Sequence, residues 1–243
     1  ATAGPTLLYY GGPVLPNASP VVVFWGSGLP PATLEIGALA QALPVSTYAD
    51  LLAQYATVNV KPVEGQQGSN QPIGHGTFAG QFTITPANAA KSLTDAEIQA
   101  GLQAQITAGK LPPQTPNTLY LLYFPKDVTV TLDGMTSCTD FGAYHAATPN
   151  NAVYAVIPAC FGGFRSVTIA TSHEFAAAVT DTIPSPGANP AHPQAWMTPK
   201  GEEIGDLCEG YFTTLKSAGR TFTVQRIFDQ VHGTCATGKF TGP

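Results

Sequence analysis

Short apolar runs, rich in β-branched and aromatic residues, recur along the chain between glycines and prolines. Such runs are typical of strands, and those with few polar positions are typical of strands covered on both faces. Strands are therefore predicted at residues 6–10, 21–25, 58–60, 77–84, 119–124, 128–132, 152–157 and 221–228. The valine-rich run at 21–25 is expected to be buried on both faces.

Helical patterns alternate with these runs. Thr94 and Glu97 have the spacing of a capping box, in which each side chain accepts a hydrogen bond from the other residue's backbone N–H. A helix is therefore predicted to begin there, and Gly109 is well placed to end it. A shorter helix is predicted at residues 32–43.

A third helix is predicted at residues 166–180, where nearly every side chain is small or apolar. Ile169, His173 and Ala177 follow one another at intervals of four and share one face of it. The next segment, residues 184–199, contains too many prolines for regular structure. A loop of this length inside a compact domain is often functional.

This alternation favours an α/β fold (α+β in the wider sense), with a mixed twisted sheet and packed helices. The chain has 243 residues and a mass of 25.2 kDa, which suits one domain. Within it we expect an N-terminal part of sheet and helices at about residues 1–165. The remaining part, at about residues 166–243, holds the central helix and the C-terminus.

Composition narrows the class of protein. Charged residues make up only 10% of the chain and the formal net charge is −5, so no basic surface for nucleic acid is expected. No apolar run approaches the roughly 20 residues that span a bilayer, which predicts no membrane anchor. The first five residues lack a methionine and a basic segment, as expected after removal of a signal peptide. We therefore expect a secreted, extracellular protein that acts as a monomer.

The four cysteines are Cys138, Cys160, Cys208 and Cys235. They form no Cys-x-x-Cys pair, so disulfides are favoured over a zinc or redox motif. Three pairings are possible, and the pairing of Cys138 with Cys160 and of Cys208 with Cys235 is favoured because each closes a short loop. In the chain-entropy model such a loop stabilises the fold by roughly 3 kcal/mol.

The main candidate for chemistry is the dipeptide His173-Glu174 on the apolar helix. Burying an imidazole and a carboxylate is costly unless each has a partner. In zinc peptidases with the H-E-x-x-H motif, the histidines bind the metal and the glutamate activates water. Here Ala177 stands in the position of the second histidine. The pattern predicts His173 as a metal ligand and Glu174 as general base, with further ligands from elsewhere.

Those further ligands are predicted to come from His145, Asp181, Glu203 and Asp206. With His173 they would form a nitrogen and oxygen shell suited to zinc. Without the imidazoles, the three carboxylates would suit calcium. Asp181 can reach the site only if the helix ends near Thr180 and the chain then bends back.

A substrate groove is expected along the proline-rich segment, lined by Trp196, with Tyr144 beside His145. Each candidate also has a structural interpretation. Neighbouring hydroxyls could satisfy His173-Glu174. The carboxylates of Glu203 and Asp206 could lie on a solvated turn, and His145 could lie on the surface.

Several short motifs occur in order between about residues 90 and 235. They lie at residues 93–98, 116–120, 144–145, 154–158, 172–176, 180–181, 201–208 and 224–227. Together they resemble the microbial branch of the phosphate-induced protein family, whose plant members are the Exordium proteins. In that branch a glutamate follows the motif at 172–176, where this chain has Ala177. The plant relatives resemble cell-wall proteins and lack the His-Glu pair, so the resemblance implies that some members are not enzymes.

Two hypotheses of different classes follow. The first is a secreted, zincin-like zinc metallopeptidase that acts on a peptide or protein. The second is a non-catalytic extracellular or cell-wall-associated protein, with a structural calcium ion or no metal, whose partner could be a cell-wall glycan. An imidazole in the metal shell and an open coordination position would favour the enzyme, whereas a closed oxygen shell would favour the structural protein.

Overall fold

The computed structural model describes residues 5–160, 163–184 and 190–243. It is a mixed α/β structure with several sheets. The strands are β1 (Leu8–Tyr9), β2 (Ser19–Trp25), β3 (Gly80–Ile84), β4 (Ser92–Thr94), β5 (Thr118–Phe124), β6 (Thr129–Leu132), β7 (Met135–Thr136), β8 (Tyr144–Ala147), β9 (Val153–Pro158), β10 (Trp196–Met197), β11 (Phe212–Ser217), β12 (Arg220–Gln225), β13 (Phe228–Asp229), β14 (Thr234–Cys235) and β15 (Phe240–Thr241).

The described residues also contain four α-helices and several short 3₁₀ turns. The helices are α1 (Gly37–Ala42), α2 (Thr47–Leu52), α3 (Asp95–Thr107) and α4 (Gly163–Thr180). The 3₁₀ turns are Pro31–Glu35, Leu43–Val45, Ala53–Tyr55 and Asp206–Cys208. None of the helices in these ranges is long and apolar enough to cross a bilayer.

The central sheet has five strands in the order β3-β2-β5-β9-β8. Strands β3, β2, β5 and β9 run parallel, and β8 pairs antiparallel with β9 at the edge. All seven residues of β5 and all six of β9 are buried. Parallel strands covered on both faces read as continuous apolar runs, which is why these segments lack alternation.

Alternate side chains of the sheet enter two separate cores. On β2, Val22 and Phe24 face the first core, which is covered by α1, α2 and α4. Val21, Val23 and Trp25 face the second core, which is covered by α3 and by the small sheet β4-β6-β7. The sheet therefore lies between two layers, and the face of a strand residue decides which layer it meets.

Helix α3 begins with the predicted capping box. The Glu97 backbone N–H donates to the Thr94 hydroxyl, and the Thr94 backbone N–H donates to the Glu97 carboxylate at 2.8 Å. At the other end Gly109 has a φ of 66°, the left-handed conformation in which glycine ends a helix without strain. Both helix-end predictions are confirmed.

Helix α4 is held between the central sheet and the hairpin β11–β12. The Thr168 hydroxyl donates to the Thr223 carbonyl at 2.7 Å, and the Gln225 backbone N–H donates to the Ser172 hydroxyl at 2.9 Å. On the neighbouring side the Tyr48 hydroxyl donates to the Ser172 carbonyl at 3.1 Å. These bonds fix the rotation of α4 and therefore the direction of the side chains that follow Ser172.

Three predicted elements differ from the structure. The helix predicted at 32–43 is a 3₁₀ turn followed by α1, because a periodicity of three to four residues fits both kinds of helix. The strand predicted at 58–60 is a turn, since Asn59 has a φ of 60° and no strand residue adopts it. The strand predicted at 221–228 is divided into β12 and β13.

Both favoured disulfides are present. Cys138 is bonded to Cys160, and Cys208 is bonded to Cys235. The first joins the loop before β8 to the end of β9. The second holds the 3₁₀ turn that follows Glu203, so it limits the freedom of the loop on which Glu203 and Asp206 lie.

Candidate functional site

Helix α4 presents His173 and Glu174 to different neighbours. Residues one position apart on a helix point about 100° away from each other. The His173 ring faces the loop at 203–208 and strand β12, and its side chain is 21% exposed. The Glu174 side chain faces β8 and is only 3% exposed. The dipeptide therefore contacts two groups of residues that are distant in sequence.

His145 is the partner of Glu174. On β8 it pairs with Ala155, whose side chain lies in the core beneath α4, so His145 also faces α4. Its Nδ1 lies 3.5 Å from Glu174 Oε2 and its Nε2 lies 3.6 Å from Glu203 Oε1. The same Nε2 donates a hydrogen bond to the Asp181 carbonyl at 2.7 Å. The imidazole thus lies between three acidic residues.

The charge on His145 follows from these neighbours. Burial lowers the pKa of His145, but the negative charges of Glu203, Glu174 and Asp181 outweigh burial and raise it to about 10. The imidazole is therefore protonated at neutral pH. As an imidazolium it offsets carboxylates that lie out of contact with water.

Asp181 reaches the site because α4 ends at Thr180, as the sequence requires. Its Oδ1 accepts a hydrogen bond from the Ala195 backbone N–H at 2.7 Å, whereas its buried Oδ2 has no hydrogen-bond partner within the described residues. Burial and the charge of Glu203 raise the pKa of Asp181. The carboxyl groups of Asp181 and Glu203 are therefore buried near each other, and each has one oxygen that accepts no hydrogen bond from the described residues.

Glu203 and Asp206 come from one turn of the loop before the Cys208–Cys235 disulfide. The Glu203 backbone N–H donates to Asp206 Oδ2 at 2.9 Å, which sets the shape of the turn. Glu203 Oε1 is buried and accepts no hydrogen bond from the described residues. Burial raises the pKa of Glu203, and the neighbouring carboxylates add to this.

Gln225 fixes the orientation of the His173 ring. The Gln225 amide nitrogen donates to the Gly205 carbonyl at 2.6 Å, so its Oε1 must face His173 Nδ1, 3.1 Å away. His173 Nδ1 is therefore the donor, and Nε2 points towards Asp206 Oδ1 at 3.7 Å. Burial lowers the pKa of His173, but the charges of Glu174, Asp206 and Glu203 outweigh burial and raise it. A proton and a cation would compete for Nε2.

Gly205 is required where the His173 ring meets the loop. A Cβ atom at this position would lie 2.6 Å from His173 Nδ1. We therefore expect Gly205→Ala to displace the ring, break its bond to Gln225, and lower the free energy of unfolding by about 1–3 kcal/mol. Urea denaturation measures the loss, and the NMR shifts of the His173 ring report the displacement.

Gly238→Ala is the matched control, since a Cβ there meets nothing within 4 Å. Equal stability and unchanged His173 shifts in both variants would contradict the close contact between Gly205 and the ring.

A cleft of about 550 Å³ opens onto His173 and Glu174. One wall is α4, another is the segment at 138–143 with the Cys138–Cys160 disulfide, and the third is the β11–β12 hairpin. Its apolar lining includes Phe141, Ile169 and Phe212. The site therefore combines buried acidic groups with an accessible apolar cleft, as ligand sites commonly do.

The donor atoms fit a cation in part. His173 Nε2, Glu203 Oε1 and Asp206 Oδ1 are nitrogen and oxygen donors of the types that bind zinc. Glu203 Oε1 accepts no hydrogen bond from the described residues, although His145 Nε2 lies 3.6 Å away. His145 Nε2 is already bonded to the Asp181 carbonyl. No group of three or more His, Cys, Asp or Glu residues in the described ranges has the arrangement of a metal site. Small movements of Glu203 and Asp206 would be needed to enclose an ion.

The structure brings the predicted residues His145, His173, Glu174, Asp181, Glu203 and Asp206 together. The two predicted groove residues, Trp196 and Tyr144, are not among the residues that line the cleft. Trp196 is 7% exposed and lies among aromatic rings of the core, 5.4 Å from Tyr9 and 5.7 Å from Tyr55, because β10 pairs with β1. Tyr144 faces the α3 layer, where its hydroxyl donates to Asp95 at 2.6 Å.

Four residues of the site were missed: Arg165, Gly205, Phe212 and Gln225. Gly205 and Gln225 lie in the motifs at 201–208 and 224–227, which are the sequence signals that point to them. Arg165 and Phe212 are identified only by the contact between α4 and the hairpin.

Comparisons with protein-family models, with curated proteins and with solved structures gave no match to this chain.

Proposed function

We propose that the protein is a secreted, zinc-dependent hydrolase, a zincin-like metallopeptidase in which α4 is the active helix. The observation that carries the proposal is the arrangement at the inner end of the cleft. There His173 Nε2 lies 3.7 Å from Asp206 Oδ1, Glu203 Oε1 accepts no hydrogen bond from the described residues, and Glu174 follows His173 on the same helix. The resemblance to the microbial phosphate-induced proteins is part of this proposal.

In this proposal His173, Glu203 and Asp206 hold the zinc ion. Gln225 accepts from His173 Nδ1, so Nε2 is directed towards Asp206 and would be available to an ion. Metal-binding histidines typically have a partner of this kind on their other ring nitrogen. A bound zinc ion would act as a Lewis acid that polarises a substrate carbonyl and lowers the pKa of water.

Glu174 is the general base. Glu174 is among the residues that line the cleft, and its carboxylate lies 3.5 Å from His145 Nδ1, which limits its rotamers. It takes the proton from the water that attacks the substrate carbonyl and returns a proton to the leaving nitrogen. The Glu174 side chain is only 3% exposed, and such burial strengthens its charge interactions.

The edge strand offers a place for a peptide. Within the described residues β8 pairs only with β9, so its outer backbone groups are free to pair with an extended chain. A peptide bound along β8 would pass the end of the cleft at Ala143. This supports a peptide or protein as the substrate class.

The second candidate is a non-catalytic extracellular protein with a calcium ion or no metal. It is favoured by one observation: His145, as an imidazolium, already compensates part of the buried negative charge of Glu174 and Glu203. A site that is compensated in this way has less need of a cation. Extracellular location is proposed for both candidates from the two disulfides.

Metal analysis separates the two candidates. The protein is purified without a chelator or a histidine tag, and zinc and calcium are measured by mass spectrometry in the wild type, in His173→Ala and in His232→Ala. His232 is an exposed histidine bonded to Asp229, outside the cluster, and is the matched control. We expect about one zinc ion per chain in the wild type and in His232→Ala, and none in His173→Ala.

Calcium in place of zinc, or no metal in any of the three proteins, would overturn the zinc hydrolase and leave the structural candidate.

A further inference from the structure

One side chain in the cleft is not used by the proposed reaction. Arg165 lies two helical turns before His173, and Arg165, Ile169 and His173 share one face of α4 at intervals of four residues. Its guanidinium lies over the Phe212 ring, with Cζ 4.8 Å from the ring centroid. Among the described residues that line the cleft, Arg165 is the only lysine or arginine.

The guanidinium is held in place but has no anionic partner. The contact with the Phe212 ring uses none of the guanidinium N–H groups as donors to a carboxylate, and five such donors are available on the group. Within the described part of the chain it forms no ion pair with a carboxylate. An arginine oriented in this way is suited to bind a carboxylate through two parallel hydrogen bonds.

Charge differs along the length of the cleft. At the inner end lie His173 and Glu174, with the carboxylates of Glu203 and Asp206 behind them. In the absence of a bound cation, the carboxylates at this end outnumber the imidazoles, which disfavours an acidic substrate group there. Asp140, on the wall formed by residues 138–143, also disfavours an acidic group nearby. The Arg165 end is the part of the cleft where a substrate carboxylate gains a favourable contact.

The middle of the cleft is apolar. Ile169 lies between Arg165 and His173 on α4, and Phe141 and Phe212 also line the cleft. The α-carbons of Arg165 and His173 are about 12 Å apart along the helix. An extended peptide covers about 3.3 Å per residue, so about three or four residues bridge this distance.

We propose that Arg165 determines substrate specificity by binding a carboxylate about three or four residues from the reacting carbonyl, with an apolar side chain between them. The substrates are thus acidic peptides or peptides with a free C-terminal carboxylate. This rests on the proposed function, but it concerns binding alone and needs no turnover for its test.

Binding is measured by fluorescence anisotropy with labelled, amidated eight-residue peptides that carry leucine at the centre. One set has glutamate two, three or four residues from the leucine on either side, and the matched set has glutamine. A third set has no glutamate but a free C-terminal carboxylate, which distinguishes a side-chain from a terminal carboxylate. Glu174→Gln is used as the host so that no peptide is cleaved.

We expect at least one glutamate or free-carboxylate peptide to bind about tenfold more tightly than its neutral counterpart, with the preference weakening as salt rises. Arg165→Ala should abolish the preference and Arg165→Lys should restore part of it, whereas Arg220→Ala should leave it unchanged. Arg220 is an exposed arginine paired with Glu35, outside the cleft, and serves as the control.

Equal affinity for charged and neutral peptides, no binding of any peptide, or a preference that survives Arg165→Ala would each overturn the assignment. The proposed hydrolase is judged separately by zinc content and cleavage. A protein that binds zinc and cleaves peptides without a carboxylate preference would keep its function and lose this specificity.

Discussion

His145→Ala is expected to lower the free energy of unfolding by about 3–5 kcal/mol, because it removes the positive partner from a buried group of carboxylates. The His145 and Glu174 side chains are each 3% exposed, and Glu203 is 13% exposed. Without the imidazolium, Glu174 and Glu203 either stay charged without a partner or must take up protons. The Asp181 carbonyl also loses its donor. Urea denaturation at neutral pH, on metal-free protein, measures the loss.

His75→Ala is the matched control for this experiment. His75 Nε2 lies 2.8 Å from Asp50, but the two side chains are 50% and 59% exposed. An exposed pair of this kind contributes about 0–1 kcal/mol. Similar losses in the two variants would mean that the cluster around His145 is not held by buried charge. A double-mutant cycle of His145 with Glu203 measures the coupling directly.

Glu174→Gln is expected to lower the rate of peptide hydrolysis by about 10²–10⁴-fold while leaving zinc content unchanged. Glutamine has nearly the same shape as glutamate but cannot take a proton from water. The hydrogen bond between His173 and Gln225 does not include Glu174, so the substitution leaves it in place. The kinetic constants kcat and KM are measured with a peptide that the wild type cleaves, and zinc is measured on the same samples.

Glu209→Gln is the control, because Glu209 is an exposed glutamate just after the turn that carries Glu203 and Asp206. Its activity should equal that of the wild type. Full activity in Glu174→Gln would exclude Glu174 as the base. Lost activity together with lost zinc would show that the substitution acts through the metal site.

Local interactions explain which parts of the fold could be predicted from sequence. The capping box of α3 depends on residues three positions apart, and both disulfides close loops of fewer than 30 residues, with separations of 22 and 27. The end of α4 at Thr180 follows from the composition of the next segment. Each of these features is determined by residues that lie close together in the sequence, so it can be predicted from a short segment.

Contacts between distant segments could not be predicted in the same way. Trp196 lies in a proline-rich segment that predicts an exposed loop, yet β10 pairs with β1 near the N-terminus and buries the ring. Tyr144 and His145 are neighbours in sequence, but they face opposite layers because β8 is a strand. A candidate residue cannot be placed in a groove until its face of the sheet is known.

The candidate site likewise contains residues that the sequence predicts and residues that only the tertiary contacts identify. Residue type and order were enough to select the six acidic and histidine residues that meet in the structure. Gln225, Gly205 and Arg165 depend on how the β11–β12 hairpin and the loop at 203–208 lie against α4. Arg165 lies in none of the short motifs, and the motifs that include Gly205 and Gln225 do not show what these residues contact, so only the tertiary structure reveals their roles.

The order of strands in the central sheet also has a consequence for biosynthesis. Strand β2 is apolar on both faces, and Val21 pairs with Tyr120 of β5, which is made much later. At about 5–20 residues per second, the ribosome needs about 5–20 s to add the roughly 100 intervening residues. During that time the apolar strand lacks β5, and for the first part of it also lacks β3, which is likewise made later. Such unpaired edges are prone to aggregation. The nascent chain therefore has an interval in which a chaperone that covers β2 would raise the yield of folded protein.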